Sequence, residues 1–228
     1  SVYKKNKSIF SVSLKIAMKL FKHEMKHILE RFCKGNKFDL VVANNYESTL
    51  ALDKANIDIP KIAHLRDLRL LTKNVNIKNF IAISNFMKKK YLDNSKFRGK
   101  KISVVYNPIV QKSVKKKNKD VLFVGSLTKD KGVHLLPELS ENIKRKMIVI
   151  GDGPERPKLE NSKNILLKGF VNNPQSFYEK APILIVPSQW EEGFGRVVVE
   201  GQTNGCVVIT TKNGALPELI KHNKTGFL

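Results

Sequence analysis

The chain has 228 residues, room for one large domain or two small or incomplete ones. A hydrophobic share of 41% supports a real core and excludes wholesale disorder, and two cysteines, Cys33 and Cys206, exclude a disulfide scaffold or a zinc cluster. Lys and Arg outnumber Asp and Glu by 42 to 20, a net charge of +22, and the excess is lopsided: residues 1–118 carry 27 basic and 8 acidic side chains, residues 119–228 carry 15 and 12.

Ser8–Phe32 reads as a long amphipathic helix with Lys15, Lys19, Lys22 and Lys26 at three- and four-residue steps on its wet face. Leu40–Ala43 is a predicted strand, followed by a helix through Leu50–Lys54. Lys61–His64 is a short strand. Phe80–Ile83 is another, with Ser84 as the N-cap of helix Asn85–Leu92. Ile102–Tyr106 closes the first half at Asn107-Pro108. Gln111–Lys119 is polar, lysine-rich and without periodicity, and reads as a linker.

The second half has the clearer rhythm. Strands are predicted at Val121–Gly125, Met147–Ile150, Ile165–Leu167, Ile183–Val186 and Val207–Thr210. Helices fall at about Gly132–Ile143, from Pro154 at a first helical position to Glu160, and at Gln175–Lys180, Gly195–Asn204 and Leu216–Lys221. Strands that are apolar at nearly every position are buried on both faces, and strands joined by helical crossovers run parallel. This is an α/β chain of the doubly wound type, whose ligands sit at the carboxyl ends of strands. Cys206 lies in the apolar run Gly205–Ile209 and reads as a small buried thiol. No apolar run is long enough to span a membrane.

Three strand ends carry chemistry. After strand Ile183–Val186 comes Pro187-Ser188-Gln189-Trp190-Glu191-Glu192-Gly193-Phe194-Gly195-Arg196, opening a helix that holds Glu200. Unpaired amides at such a helix start suit a phosphate, and Gly193 and Gly195 allow close approach. Carboxylates at Glu192 and Glu200 accept hydrogen bonds from sugar hydroxyls. The plain alternative is a solvated Glu pair; embedded in a strand–Gly-Phe-Gly–helix frame, the functional reading is favoured. After strand Val121–Gly125 comes Ser126-Leu127-Thr128-Lys129-Asp130-Lys131-Gly132, where Lys131 beside a helix start can neutralise a diphosphate leaving group. The alternative is one more surface lysine. Neither a Walker A loop nor a G-x-G-x-x-G fingerprint is present. Lys168-Gly169-Phe170-Val171 can meet a nucleobase through backbone groups or serve as a plain turn. Gly151-Asp152-Gly153-Pro154 reads as a tight turn. In the first half, His64-Leu65-Arg66-Asp67 ends a strand, and a packed histidine is the commoner role for His64 there.

Together these segments, with Val104–Pro108, Gly214-Ala215-Leu216-Pro217-Glu218 and Thr225-Gly226-Phe227-Leu228, resemble the retaining glycosyltransferases of family 4, from about Phe80 to Leu228. The resemblance implies a GT-B arrangement of two Rossmann-like domains: an acceptor-side domain at 1–110, incomplete at its start, a linker at 111–119, and a nucleotide-sugar-binding domain at 120–228, incomplete at its end. Carried over, Glu200 would hold ribose hydroxyls and Glu192 the donor sugar. Lys131 and the amides near Phe194 and Gly195 would bind the diphosphate, with Glu192 and Lys131 as the catalytic pair. Gly125, Ser126, Val171 and Gly193 complete the donor-binding set. His64 and Arg66 would face the acceptor. The family needs no metal for the diphosphate and no cofactor beyond the nucleotide-sugar substrate. Here Ser126 stands where the family often has Arg, and Arg66 precedes Asp67 where many members have His.

The expectation is therefore a hexosyl- or N-acetylhexosaminyl-transferase of glycan biosynthesis, read from a fragment that need not be active by itself. Its partners would be a nucleotide sugar and a glycan or lipid-linked acceptor. The expected localisation is cytoplasmic, and the basic first half suits an anionic acceptor or peripheral contact with an anionic inner membrane face; the alternative is a lysine-rich chain whose charge is only solvated. A non-catalytic nucleotide-sugar-binding domain is the alternative. A basic nucleic-acid-binding protein ranks third, because no aromatic interleaving surrounds Lys88–Lys90 or Lys115–Lys117 and no such motif appears.

Overall fold

The computed structural model describes residues 24–109, 118–143 and 145–228. The chain divides into two compact units, Ser1–Val105 and Tyr106–Leu228. Of the expected helix Ser8–Phe32, residues 8–23 lie outside the described residues, as does 111–117 of the expected linker; residues 24–35 are helical and form α1.

The first unit is built on one parallel sheet. Strands β1 (Val41–Ala43), β2 (Lys61–Leu65), β3 (Asn79–Ala82) and β4 (Lys101–Val104) lie in the order β1-β2-β3-β4. Ala63 pairs with Phe80, and Phe80 with Ile102. Helix α2 (Tyr46–Lys54) starts where Asn45 and Ser48 cap each other reciprocally, satisfying two otherwise orphan donors. Helix α3 (Asn85–Leu92) starts at Ser84, whose Oγ accepts the Met87 amide at 3.1 Å, as the cap reading requires. Phe80, Phe97 and Tyr91 pack edge to face at 5.3 and 4.7 Å between centroids and fill the core under α3.

The second unit carries β5 (Val121–Val124), α4 (Leu136–Asn142), β6 (Met147–Ile150), β7 (Ile165–Gly169), α5 (Gln175–Lys180), β8 (Ile183–Val186), α6 (Arg196–Thr203), β9 (Val207–Thr210), α7 (Leu216–Leu219) and β10 (Gly226–Phe227). All strand pairs are parallel, in the order β10-β9-β8-β5-β6-β7. The chain winds outward from β5 through β6 to β7, then returns to the other side of β5 for β8. That reversal makes the gap between β5 and β8 the topological switch point.

Side-chain alternation along β5 feeds two cores. Leu122 joins Leu184, Val198, Val208 and Leu216 on one face; Val121 and Phe123 join Met147, Val149, Leu136 and Leu159 on the other. Cys206 is buried among the first group, its Sγ 3.2 Å from the Ala181 carbonyl oxygen. Burial on both faces holds at the centre of the sheet but not along β9, where Val208 is buried while Val207 and Ile209 stay 45 and 40% exposed. Three boundaries also differ from the sequence reading. Pro154 sits in a turn, and the 3-10 turn that follows is Arg156–Lys158 with Pro157 in its first turn. Two 3-10 turns, Lys129–Lys131 and Val133–Leu135, precede α4 because Gly132 between them is left-handed. Helix α7 stops at Leu219, short of Lys221.

Candidate functional site

The carboxyl ends of β5 and β8 each open into a loop, and the two loops enclose a cleft of about 290 Å³ at the switch point. Its lining includes Gly125, Ser126, Lys131, Glu192, Gly195 and Arg196. Five of these were candidates from the sequence.

The loops are locked together through backbone. Gly132 has φ +72, and a Cβ there would stand 2.0 Å from the Pro187 carbonyl oxygen, so only glycine lets the β5 loop touch the β8 loop. The Asp130 carbonyl accepts the Gln189 amide at 2.7 Å and the Trp190 amide at 3.1 Å. From the other side, Thr211 Oγ1 and Asn213 Nδ2 donate to the Ser188 carbonyl at 2.6 and 2.8 Å. The Ala215 amide donates to the Glu192 carbonyl at 2.8 Å, beside Gly214 at φ +61. The loop carrying Glu192 is therefore held on both flanks.

That clamp fixes the side chains. Glu192 Oε1 accepts from Lys131 Nζ at 2.5 Å and from Ser188 Oγ at 3.0 Å. Both charges are mostly shielded, at 19 and 30% side-chain exposure, so a ligand meets a preorganised carboxylate and ammonium rather than two solvated tips. Lys129, by contrast, is exposed and outside the cleft. Ser188 was missed by sequence reasoning: a small hydroxyl at a strand end gives no signal until its neighbours are known.

Helix α6 opens on the same rim. Its N-cap is Gly195, which supplies no side-chain cap, leaving the positive end of the helix dipole open to an anion. One turn in, Glu200 is held from two sides: Tyr178 Oη donates to Oε2 at 3.0 Å and Arg196 Nε to Oε1 at 2.6 Å. Burial, with the Glu200 charge adding to it, pushes the Tyr178 hydroxyl pKa up, so it remains a donor at any working pH. Tyr178 and Arg196 were not among the sequence candidates; Tyr178 lies outside the motif, and Arg196 lies inside it with nothing in the spacing to single it out. Glu200, Gly193, Phe194 and Val171 do not line the 290 Å³ cleft. Phe194 is 6% exposed and its ring is turned toward Tyr106, 6.2 Å between centroids, while Val171 packs against the core cluster that includes Leu122 and Leu184.

In the first unit, Asn44 Oδ1 lies 2.8 Å from His64 Nδ1 and accepts from Arg66 Nη1 at 3.4 Å. His64 Nδ1 is then the protonated nitrogen, and Nε2 is buried with no partner among the described residues. Burial first, then the Arg66 charge, holds the His64 pKa below its ordinary value, so the ring is neutral. Asp67 is otherwise engaged: it accepts the Arg69 amide at 2.9 Å and pairs with the Arg69 guanidinium at 2.8 Å. Among the described residues no cluster of three or more His, Cys, Asp or Glu could hold a metal ion.

Known proteins match this architecture. An uncharacterised glycosyltransferase of Methanocaldococcus jannaschii is 32% identical over 202 residues, covering 78% of this chain and 56% of that protein. The capsular polysaccharide biosynthesis glycosyltransferase CapM of Staphylococcus aureus is 27% identical over 191 residues, covering 75% and 47%. The chain thus spans about half the length of the curated relatives it matches. Among solved structures, Anabaena HepE in complex with UDP and glucose superposes with a TM-score of 0.75 at 21% identity, over 91% of this chain and 66% of that one. This likeness is one of fold: parallel α/β units of the GT-B type. The sequence profile of the group 1 glycosyl transferases matches residues 107–228, more than half of the chain and the whole of the cleft-bearing unit, and on that match the chain belongs to this family.

Proposed function

We propose that the cleft binds a nucleoside-diphosphate sugar and that the protein transfers its sugar, with retention of configuration, to a glycan or lipid-linked glycan acceptor. The observation that carries this reading is the convergence of Lys131, Glu192 and Ser188 beside the uncapped start of α6. Glu200 holds the ribose hydroxyls, and Glu192 takes hydroxyls of the donor sugar. Lys131 and the first amides of α6 receive the diphosphate. As the anomeric C–O bond breaks, charge builds on the departing diphosphate, and Lys131 and the helix end are already aimed at it. The acceptor hydroxyl oxygen bonds the anomeric carbon, and its proton goes to the departing diphosphate. No metal or cofactor enters this scheme. The relatives' names support glycan assembly as the setting, and the HepE complex supports UDP as the first nucleotide to try.

We also place the acceptor at an anionic lipid surface. Residues 1–118 carry most of the excess positive charge, and helix α1 presents Ile28 and Phe32 at 63 and 59% exposure, one turn apart.

The test of the donor reading uses the full-length protein. Mass spectrometry against a panel of UDP-sugars should find UDP released only with acceptor turnover or slow hydrolysis. Calorimetry should find UDP binding weakened by roughly 1–3 kcal/mol in Glu200→Gln, the range for a lost charge-assisted hydrogen bond. Unchanged UDP affinity in that variant sinks the ribose assignment. Tight binding without turnover of any UDP-sugar makes the protein a binding domain instead.

A further inference from the structure

The charges around the cleft do not match a diphosphate as they stand. The lining holds two cations, Lys131 and Arg196, and one carboxylate, Glu192. Lys131 is already paired with Glu192, so its ammonium is shared before any ligand arrives. A diphosphate brings two ionised phosphates, and a shared ammonium leaves it under-neutralised in a half-shielded site.

Arg196 is the remaining cation. It is the first residue of α6, the position where the helix dipole disfavours a positive side chain. Its side chain is 80% exposed, so it is free to reorient, and its Nη groups make no hydrogen bond among the described residues. Only Nε is engaged, on Glu200 Oε1. That oxygen is one of the two that a ribose diol needs, and the other already accepts from Tyr178. Each oxygen can accept a second donor, and a ribose diol that binds Glu200 competes with Arg196 Nε for the charge on Oε1.

We propose that Arg196 is the second cation of the diphosphate subsite, held in reserve on Glu200 until a nucleotide arrives. Ribose hydroxyls displace Nε from Glu200 Oε1. The released guanidinium turns to the terminal phosphate, where its planar fork matches two oxygens at once. A misplaced cation at a helix start becomes a well-placed one once the anion is present. The two halves of the nucleotide are thereby coupled: ribose recognition frees the group that binds the second phosphate. This inference rests on the donor reading above and assigns a residue and an order of events that the reading does not contain.

The experiment is calorimetric titration of the full-length protein with UDP and with UMP, which differ by the terminal phosphate alone. Arg196→Gln should weaken UDP by about tenfold or more, the scale of a lost charge-assisted bidentate contact, and UMP far less, so that the preference for UDP collapses. Glu200→Gln should weaken both nucleotides and keep the preference, because Arg196 is then free from the start. Arg196→Lys should restore part of the preference. Equal weakening of UDP and UMP by Arg196→Gln would show a residue that merely props Glu200 and overturns the proposal; so would an unchanged UDP affinity. If the wild-type protein binds neither nucleotide, nor GDP, ADP, CDP or dTDP, the donor reading fails and this inference falls with it. UDP binding that ignores Arg196 fails this inference alone.

Discussion

At the residue scale the site is a set of charges fixed before a ligand comes. Lys131 illustrates why position outweighs type. Lys129 and Lys131 are two residues apart in a lysine-rich chain, yet only Lys131 lies in the cleft and reaches Glu192. We expect Lys131→Ala to lower kcat of the proposed sugar transfer about 10²-fold or more, as loss of a transition-state charge contact does, and Lys129→Ala to leave it within twofold or so. Equal effects in steady-state assays would return Lys131 to the surface. His64 gives a pH prediction. Its pKa is depressed in the folded protein by burial and Arg66, so the unfolded chain binds this proton more readily. Stability from the neutral ring is then present above about pH 6.5 and declines as pH falls below it. Thermal unfolding should show wild type losing ground to His64→Gln between about pH 7.5 and pH 5.5; a constant gap would mean that the ring titrates normally. Glu192, Lys131 and Gly195 were legible as letters in a motif. Ser188, Tyr178 and Arg196 were not, because their roles arise from contacts with carboxylates 4 to 22 positions away that only the fold makes visible.

At the element scale the strands were legible nearly to the residue, since buried parallel strands read as short apolar runs bounded by turn residues. What was not legible was how the loops after them meet. Strand β10 is two residues long, too short to leave a pattern, and the helix expected from Pro154 gave way to a turn because the chain must first fold back against Leu127, whose carbonyl accepts the Glu155 amide at 2.9 Å. The loop clamp makes a testable contrast. Gly169 and Gly214 are both left-handed, at φ +68 and +61. A Cβ at Gly169 meets only the far end of the Arg156 side chain at 3.6 Å, an ordinary contact; at Gly214 it would stand 2.3 Å from the Glu192 carbonyl oxygen. Gly169→Ala should cost about 1–2 kcal/mol, the backbone term alone. Gly214→Ala should cost clearly more, about 3 kcal/mol or above, because backbone must move as well. Chemical unfolding of the two variants decides it: equal losses would mean that the Glu192 loop yields freely and is not held by its neighbour.

At the scale of the whole molecule the two units solve different problems. Residues 119–228 are nearly balanced, with 15 basic and 12 acidic side chains, of which Lys131, Arg196 and Glu192 line the cleft, whereas residues 1–118 carry an excess far beyond what solubility asks. The acceptor we propose, anionic or seated in an anionic membrane, would account for the difference. No helix among the described residues is long and apolar enough to cross a membrane. Helix α1 has the composition for it: Ile28 and Phe32 are exposed, Phe32 stacks on Phe38 at 5.4 Å, and Lys34 and Lys37 lie close by in sequence. Of the lysines expected on its wet face, Lys26 sits 3.7 Å from Glu30, and Lys15, Lys19 and Lys22 lie outside the described residues. A single lysine near an anionic surface contributes about 1 kcal/mol and fades within a Debye length, so several must act together and salt must undo them. Co-sedimentation should therefore find the full-length protein on anionic vesicles and not on neutral ones, with binding lost at high salt. Changing Lys15, Lys19, Lys22 and Lys26 together to Glu should release it, and Ile28→Ser should weaken it at low salt, where charge alone would hold. Equal retention on neutral vesicles would assign the contact to the apolar ridge alone. No retention on either would leave the basic charge as a solvated face and the acceptor as a soluble glycan.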